Sequence, residues 1–229
     1  MEPRKFYDRT ADSYEKRQDN TTTKYMRKKE EELIRKYVSG RTLDVGCGTG
    51  CHLKLIKNSI GIDFSLNMLK KADGDVVQAE AEILPFKDES FDTLICFFSV
   101  LNFADPEKTV KEMGRVLKKD GAVLLSLSSV WDMYDGFFLR KIFPREKCKK
   151  KIRIEGARVV FNLYRKKDII DLFRGFKLVE FSSLFITQKP YWGWYRDFSR
   201  LDKFRLKIDR VMPKTMGRIY FFVFRKTGN

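Results

Sequence analysis

The sequence predicts a single α/β domain in which a parallel sheet is covered by helices on both faces. Three observations indicate this fold class. Five short apolar runs alternate with helical patterns between residues 42 and 128, which is typical of βα units. The first run leads into a glycine-rich turn, and two further apolar runs lie after residue 175. With 229 residues, the chain is long enough to bury the core of one such domain.

The first βα unit follows a long helix. We predict that helix over residues 23–38, where apolar side chains share one face and Gly40 ends the pattern. An apolar run over residues 42–45 leads directly into the turn at residues 46–50, and a helical pattern continues through residue 57. The order is strand, glycine turn, helix.

The same order repeats along the next seventy residues. Ser65 is a predicted N-cap of a helix, and Asp105 with Pro106 provides a cap and an N1 proline for another. Four apolar runs are predicted strands: residues 59–63, 75–79, 91–98 and 122–128. Parallel strands connected in this way bind ligands at their carboxyl ends.

The rhythm changes after the fifth strand. Residues 130–164 contain no clear βα unit, whereas residues 167–173 again have a helical pattern. Two closing strands are predicted at residues 177–185 and 218–225, and residues 191–213 interrupt them.

The glycine turn is suited to a ligand with a charged tail. Glycines at alternate positions allow a sharp turn and close approach of the backbone, and the following N–H groups favour an anion. The dinucleotide pattern Gly-x-Gly-x-x-Gly, counted from Gly46, fails at Cys51. Pyrophosphate binding is therefore disfavoured, and an adenosyl ligand with a carboxylate remains suitable.

Two acidic positions extend this site. Asp63 lies at the end of the second strand, where a carboxylate can accept hydrogen bonds from both ribose hydroxyls. Glu80-Ala81-Glu82 follows the third strand, where an acidic side chain could accept a hydrogen bond from an adenine amino group. A solvated acidic turn is the alternative explanation for the second group.

Cysteine and histidine usage disfavours several kinds of site. The four cysteines form no Cys-x-x-Cys pair and His52 is the only histidine, so neither a zinc site nor a disulfide framework is indicated. A histidine-dependent hydrolase would have to use His52, which we expect to be solvated beside the glycine turn. No apolar run reaches the roughly 18–20 residues that span a bilayer, so we expect a soluble, cytoplasmic protein.

Positive charge is concentrated in the last two-fifths of the chain. Residues 1–138 contain 22 Lys/Arg and 23 Asp/Glu, whereas residues 139–229 contain 25 and 8, a net charge of +17. The asymmetry predicts an anionic partner for residues 139–229, either RNA or an acidic lipid surface. Solvated basic faces without a partner are the alternative.

Four ordered motifs resemble those of class I S-adenosylmethionine-dependent methyltransferases, most closely the type 11 branch. The motifs are Leu43-Asp44-Val45-Gly46-Cys47-Gly48-Thr49-Gly50, Gly61-Ile62-Asp63, Leu84-Pro85-Phe86 through Ser90-Phe91-Asp92, and Glu112 through Arg115-Val116-Leu117-Lys118. The likeness covers about residues 6–129. It implies a Rossmann-like, seven-stranded, mostly parallel sheet with a closing antiparallel hairpin. It also implies methyl transfer from S-adenosyl-L-methionine, which leaves S-adenosyl-L-homocysteine.

The resemblance implies roles for particular residues. The methionine part of the donor would be held by the acid and turn residues of the first motif, Asp44, Gly46, Cys47, Gly48 and Gly50. The ribose would be held by Asp63 and Phe64, and the adenine by Glu80 and Ala81. Tyr14 would be the lid tyrosine that covers the donor. The chain departs from the family pattern where Glu80 replaces a usual Asp and Asn102 a frequent His.

Within the single domain, residues 1–40 are expected to form a helical lid and residues 41–129 the donor-binding core. Residues 130–165 and 190–213 are expected to be acceptor-side insertions, the latter part of a basic C-terminal cap. A sulfonium methyl is already activated, so the site mainly has to align an acceptor and exclude water, and no metal is expected.

The sequence leaves the acceptor open among a small metabolite, RNA and an anionic lipid. Asp132, Tyr134 or Asp135 could face a proton on the acceptor, although a polar loop is the more common explanation for such residues. A non-catalytic nucleic-acid-binding module that retains the donor-binding fold is the alternative function. The intact glycine motif and Asp63 argue against that alternative.

Overall fold

The computed structural model describes residues 2–98, 100–133, 148–154, 157–186 and 198–228. Its strands, in chain order, are β1 (Thr42–Val45), β2 (Ser59–Asp63), β3 (Val76–Gln78), β4 (Phe91–Cys96), β5 (Leu117–Ser128), β6 (Cys148–Ile154), β7 (Ala157–Leu163), β8 (Phe176–Leu184) and β9 (Ile219–Lys226). Seven of these form one sheet in the order β3-β2-β1-β4-β5-β9-β8, and β6 pairs with β7 in a separate antiparallel hairpin.

The sheet has the predicted topology. Strands β1 to β5 are parallel, whereas β9 runs antiparallel to both β5 and β8. The chain crosses from one half of the sheet to the other between β3 and β4, so the switch point lies between β1 and β4. In open α/β sheets the carboxyl ends of the strands at such a point form the ligand crevice. The predicted fold class is confirmed.

Seven α-helices are present in the described part of the chain: α1 (Pro3–Gln18), α2 (Thr21–Tyr37), α3 (Leu66–Leu69), α4 (Val100–Phe103), α5 (Pro106–Val116), α6 (Lys166–Leu172) and α7 (Arg200–Asp209). The predicted caps are confirmed: Ser65 accepts a hydrogen bond from Met68 N, and Asp105 accepts from two backbone N–H groups of α5. None of the helices in these ranges is long and apolar enough to cross a membrane.

Two apolar layers form the core, one on each face of the sheet. Side chains of β4 alternate between them: Leu94 and Cys96 belong to one layer, and Ile95 and Phe97 to the other. All four are at most 3% exposed. This explains why the β4 sequence is a near-continuous apolar run, since a strand covered on both faces has no solvated side.

The structure differs from the sequence prediction at two places. The helix expected up to residue 57 is only a 3₁₀ turn at Leu53–Leu55, because β2 already begins at Ser59. Leu53 and Ile56 are nevertheless buried, as the apolar side of a helix would be. The β6–β7 hairpin occupies part of residues 130–164, where no regular unit was evident from the sequence.

Candidate active site

A cavity of about 430 Å³ opens at the carboxyl ends of the parallel strands and is covered by α1. Its volume lies within the range of about 300–1,000 Å³ that is typical of small-molecule sites. Eight of the ten residues predicted to hold the donor line it: Tyr14, Gly46, Cys47, Gly48, Asp63, Phe64, Glu80 and Ala81. The structure therefore brings together residues that are up to 67 positions apart in the chain.

The glycine turn is folded back onto β2. The N–H groups of Gly46 and Cys47 both donate to Ile62 O at 2.8 Å. Gly46 has a φ of 76°, and an added Cβ would lie 2.3 Å from Val100 Cγ2. A side chain at this position would be both strained and obstructed, so glycine is required for the turn to pass beneath α4.

The Asp63 carboxylate is at the centre of the cavity floor. Its Oδ2 accepts a hydrogen bond from Gly48 N at 2.9 Å, and its Oδ1 accepts one from Ser65 N at 2.9 Å. Burial raises the pKa of Asp63 to about 6, against the lowering effect of these backbone hydrogen bonds. A carboxylate oxygen can accept more than one hydrogen bond, so both oxygens retain capacity toward ribose hydroxyls, and the site fits a nucleoside.

The acidic group after β3 lies at the mouth of the cavity. The half-exposed Glu80 carboxylate is 3.8 Å from Arg4 of α1, and Glu82 accepts a hydrogen bond from Asp105 N at 2.9 Å. Exposed ion pairs of this kind add little stability, so a ligand could displace Arg4 and reach the Glu80 carboxylate at little cost. The Glu82 carboxylate, in contrast, is bound to the backbone at the start of α5.

Helix α1, within the segment for which a lid is predicted, lines one side of the cavity. Asp8 fixes it to α3, because the Asp8 carboxylate accepts hydrogen bonds from Ser65 Oγ at 2.6 Å and Asn67 N at 3.3 Å. Tyr7 packs its ring against Tyr14 and Phe64, with ring centroids 6.3 and 5.8 Å away. Tyr7 and Tyr14 are seven residues apart in sequence, a spacing that places them on one face of the helix and is a weak sequence signal for this wall.

Two predicted site residues do not line the cavity. Gly50 lies in the turn, where an added Cβ would be 3.1 Å from Ala72 Cβ. Asp44 lies behind the turn and is 1% exposed, and its Oδ2 has no hydrogen-bond partner among the described residues. Burial raises the pKa of Asp44 to about 7, with nearby Glu30 and Asp63 adding to the rise and His52 opposing it. An orphaned buried carboxylate oxygen fits a cationic group of a ligand.

The expectation that His52 is solvated is wrong. His52 is 8% exposed, lines the cavity and lies 3.1 Å from the Glu30 carboxylate of α2 through Nε2. Its Nδ1 is 3.9 Å from Asp44 Oδ2. Burial tends to lower the pKa of His52, but the contacts with Cys51 and Glu30 outweigh it and hold that pKa well above the usual value.

The Glu30–His52 pair connects the glycine turn to β5 and to the residues that follow β4. Glu30 Oε1 accepts a hydrogen bond from Ser126 Oγ of β5 at 3.0 Å, and Ser126 Oγ accepts one from Phe98 N at 2.8 Å. Phe98, just after β4, has a φ of 58°, a conformation that is uncommon outside glycine. Glu30 and His52 were not predicted, because their contact joins two patterns that look unrelated in sequence.

One of the acceptor-side candidates lies within the described residues. Asp132 is buried 4.0 Å from Arg218, whereas Tyr134 and Asp135 lie outside the described residues. Asn102, at the position where the family often has His, holds α4 against β5: Asn102 Oδ1 accepts from Ser128 N at 3.0 Å and Asn102 Nδ2 donates to Ser128 O at 3.1 Å.

The cavity wall toward β4 is aromatic. Phe97, Phe98 and Phe103 line it together with Val100. Of these residues, only Phe97 and Phe98 fall within a predicted element, the strand at residues 91–98. They give the cavity an apolar surface in addition to the polar groups of Asp63 and Glu80.

Comparisons with known proteins agree with this geometry. A family described as a methyltransferase domain matches residues 43–125. The uncharacterized protein MJ1252 of Methanocaldococcus jannaschii is 34% identical over 99% of this chain and 91% of its own length. A phosphatidylethanolamine N-methyltransferase of Cereibacter sphaeroides is 40% identical over 100 residues, which cover 38% of this chain and 49% of that protein.

A solved structure from Thermotoga maritima is also similar. It is described as a methyltransferase dependent on S-adenosylmethionine, possibly acting on histamine, and it superposes with a TM-score of 0.64 at 22% identity. The alignment covers 98% of this chain and 99% of that one. At this identity the likeness concerns the fold, and it extends over the whole chain rather than the donor half alone.

Proposed function

This chain belongs to the class I S-adenosylmethionine-dependent methyltransferases, and from that premise we propose that it methylates a nucleophile presented beside the carboxyl ends of β4 and β5. The observation that carries the proposal is the buried Asp63 carboxylate, held in the cavity floor by Gly48 and Ser65. A charge in this position is costly to bury unless a ligand or fixed donors stabilise it.

The chain's own residues would hold the donor in three parts. Asp63 would accept hydrogen bonds from the ribose and Glu80 one from the adenine amino group. The glycine turn would lie against the methionine part, with Asp44 available to a cationic group. When bound, S-adenosylmethionine supplies a methyl group that is already activated by its sulfonium.

The protein's remaining contribution is alignment and exclusion of water. Tyr7 and Tyr14 of α1 cover the cavity, and Phe97, Phe98 and Phe103 form its apolar side. An apolar, closed wall lowers the local dielectric constant and fixes the direction of approach. The acceptor would enter along this wall, since the polar groups of the cavity, Asp63 and Glu80, fit the nucleoside.

The wall favours an acceptor with an apolar or aromatic part next to its nucleophile. The similar Cereibacter protein is named for a phosphatidylethanolamine substrate, but its likeness covers only part of this chain. A small metabolite, RNA and an anionic lipid are therefore the three acceptor classes that an experiment has to separate.

Calorimetry with S-adenosylmethionine, S-adenosylhomocysteine, NAD and FAD tests donor binding. We expect the first two to bind and the dinucleotides to give no measurable heat, because the glycine spacing lacks the dinucleotide pattern. Tight NAD binding without any response to S-adenosylmethionine would contradict the proposal. Transfer of a labelled methyl group into separate tRNA, lipid and metabolite pools would then identify the acceptor class.

A further inference from the structure

Helix α7 presents an exposed apolar stripe. Leu201, Phe204 and Ile208 are 54%, 58% and 36% exposed, and Val211, just beyond the helix, is 84% exposed. Their spacings of three, four and three residues place them on one side of the helix. Single exposed apolar side chains are ordinary, but four in one line are not explained by chance exposure.

The opposite side of α7 is fixed to the protein. Asp202 and Asp209 are buried on this side, and Asp209 accepts a hydrogen bond from Ile186 N at 3.0 Å. Leu206 packs against the core layer that contains Phe185. Because these contacts determine the rotation of the helix, the stripe faces outward in the folded protein.

The charges on α7 divide according to the same two sides. Its two acidic residues, Asp202 and Asp209, are 1% and 8% exposed. The exposed charged residues from α7 to the turn that follows it are all basic: Arg200, Lys203, Lys207, Arg210 and Lys214. The outward surface thus combines an apolar stripe with positive charge and contains no exposed carboxylate.

Helix α7 lies at the same edge of the sheet as the cavity. It connects β8 to β9, and Leu184 at the end of β8 pairs with Ile219 at the start of β9. Ile219 in turn pairs with Ser128, the last residue of β5. The carboxyl end of β5 and the connection through α7 are therefore on one edge.

We propose that α7 is a docking helix for an anionic phospholipid surface, with Leu201, Phe204, Ile208 and Val211 inserted at the boundary between headgroups and acyl chains. Basic residues beside an apolar stripe are the features that bind a helix in the plane of such a surface. The docking does not depend on methyl transfer. Only its consequence, that the acceptor is reached at the membrane, rests on the proposed function.

Two other occupants fit the surface less well. A second copy of this chain would bring basic flanks together, and the net charge of residues 139–229 is +17. RNA would satisfy the positive charges but would leave the aliphatic stripe largely exposed to water. An anionic bilayer satisfies both features, and we therefore commit to it.

Vesicle co-sedimentation of the full chain tests the proposal. The vesicles contain phosphatidylcholine alone or with one-quarter phosphatidylglycerol, and binding is measured without donor at low and at physiological salt. We expect binding to the anionic vesicles that weakens with salt, and little binding to the neutral ones.

Two pairs of variants locate the surface. Phe204→Ser with Val211→Ser should reduce the partition coefficient about tenfold or more, because two apolar side chains no longer enter the interface. Leu55→Ser with Val179→Ser removes two exposed apolar residues elsewhere and should leave binding unchanged. Lys203→Glu with Lys207→Glu should abolish the preference for anionic vesicles, whereas Lys108→Glu with Lys111→Glu on α5 should retain most of it.

Donor calorimetry on each variant separates this inference from the proposed function. Vesicle binding that is absent, or that both apolar pairs weaken equally, overturns the docking helix even if S-adenosylmethionine still binds. Tighter binding to tRNA than to vesicles, unaffected by Phe204→Ser with Val211→Ser, also overturns it and favours RNA. If the vesicles bind through α7 but S-adenosylmethionine does not bind, the docking surface stands and the proposed function fails.

Discussion

Glu30 of α2 and His52 after the glycine turn are in contact at 3.1 Å, although they are 22 positions apart in sequence. Both are buried, and the pair extends to Ser126 of β5 through the second oxygen of Glu30. Helix α2, the end of the glycine turn and β5 therefore meet at a single ionisable pair. Its protonation can be measured directly, because His52 is the only histidine in the chain.

We expect the imidazole of His52 to titrate well above 6.5 in a proton NMR titration of the folded protein. Burial opposes this rise, but the contacts with Cys51 and Glu30 dominate. A histidine pKa raised by folding gives stability that is fully present below pH 6.5 and is lost as the pH rises through the folded value. In Glu30→Gln the titration should move to lower pH; an unchanged titration would show that Glu30 does not hold the charge.

The same variant should also be less stable. Glu30→Gln leaves a buried imidazolium without its carboxylate, and breaking such a pair costs about 3 kcal/mol. Urea unfolding at pH 7 measures the free energy, with Glu31→Gln as the matched control, since Glu31 forms an exposed pair with Arg35. The control should change stability by less than about 0.5 kcal/mol. Equal effects of the two substitutions would contradict the structural role of Glu30.

Asp63→Ala should weaken donor affinity by about 10- to 150-fold, corresponding to about 1.5–3 kcal/mol for lost charge-assisted hydrogen bonds. Calorimetry with S-adenosylhomocysteine measures it, and circular dichroism verifies the fold. Asp73→Ala is the control, because the Asp73 side chain is 85% exposed and is not among the cavity-lining residues. Unchanged affinity in folded Asp63→Ala would show that this carboxylate only organises the turn.

Donor affinity should also depend on pH through Asp63. In the proposed function the ionised carboxylate would accept hydrogen bonds from the ribose hydroxyls, and its pKa is about 6 in the free protein. Affinity should therefore fall as pH drops through 6, by about tenfold per unit below it. Asp63→Asn keeps a hydrogen-bond acceptor but does not titrate, so its weaker binding should lack this step. Retention of the step in Asp63→Asn would assign it to another group, such as Asp44.

Gly46→Ala should destabilise the fold more than Gly175→Ala. Both glycines have positive φ, 76° and 89°, so both substitutions introduce a backbone strain of about 1–2 kcal/mol. Only at Gly46 would the new Cβ also meet a neighbour, Val100 Cγ2 at 2.3 Å, whereas nothing lies within 4 Å at Gly175. Urea unfolding compares the two, and donor affinity should fall only in Gly46→Ala. Similar losses in both would mean that α4 moves aside freely.

The donor half of the fold was predictable from local chemistry. The run ending in the glycine turn, the Ser65 and Asp105 caps and the apolar β4 each identify an element from adjacent residues, and their order determines the sheet. The residues that line the cavity floor follow directly, because they are located at strand ends. Their roles toward a donor remain predictions.

The remaining parts of the site depend on contacts between distant segments. The position of His52 next to a turn suggests exposure, and only the packing of α2 over the sheet shows that Glu30 and Phe97 cover it, the latter with ring centroids 5.1 Å away. Strands β6 and β7 are held by antiparallel pairing with each other, which leaves no helical or βα pattern to detect. Asn102 is similar: its role depends on Ser128, 26 residues further along the chain.

The place of β9 between β5 and β8 also affects how proteins of this architecture can diverge. Within the described sheet, strands β1 to β5 are joined to β8 and β9 only by the pairing of β5 with β9. Segments inserted after β5, α7 among them, can therefore be exchanged without altering the register of β1 through β5. A lineage could thus inherit one methyl-donor site unchanged and acquire new cellular targets by replacing a single block of sequence.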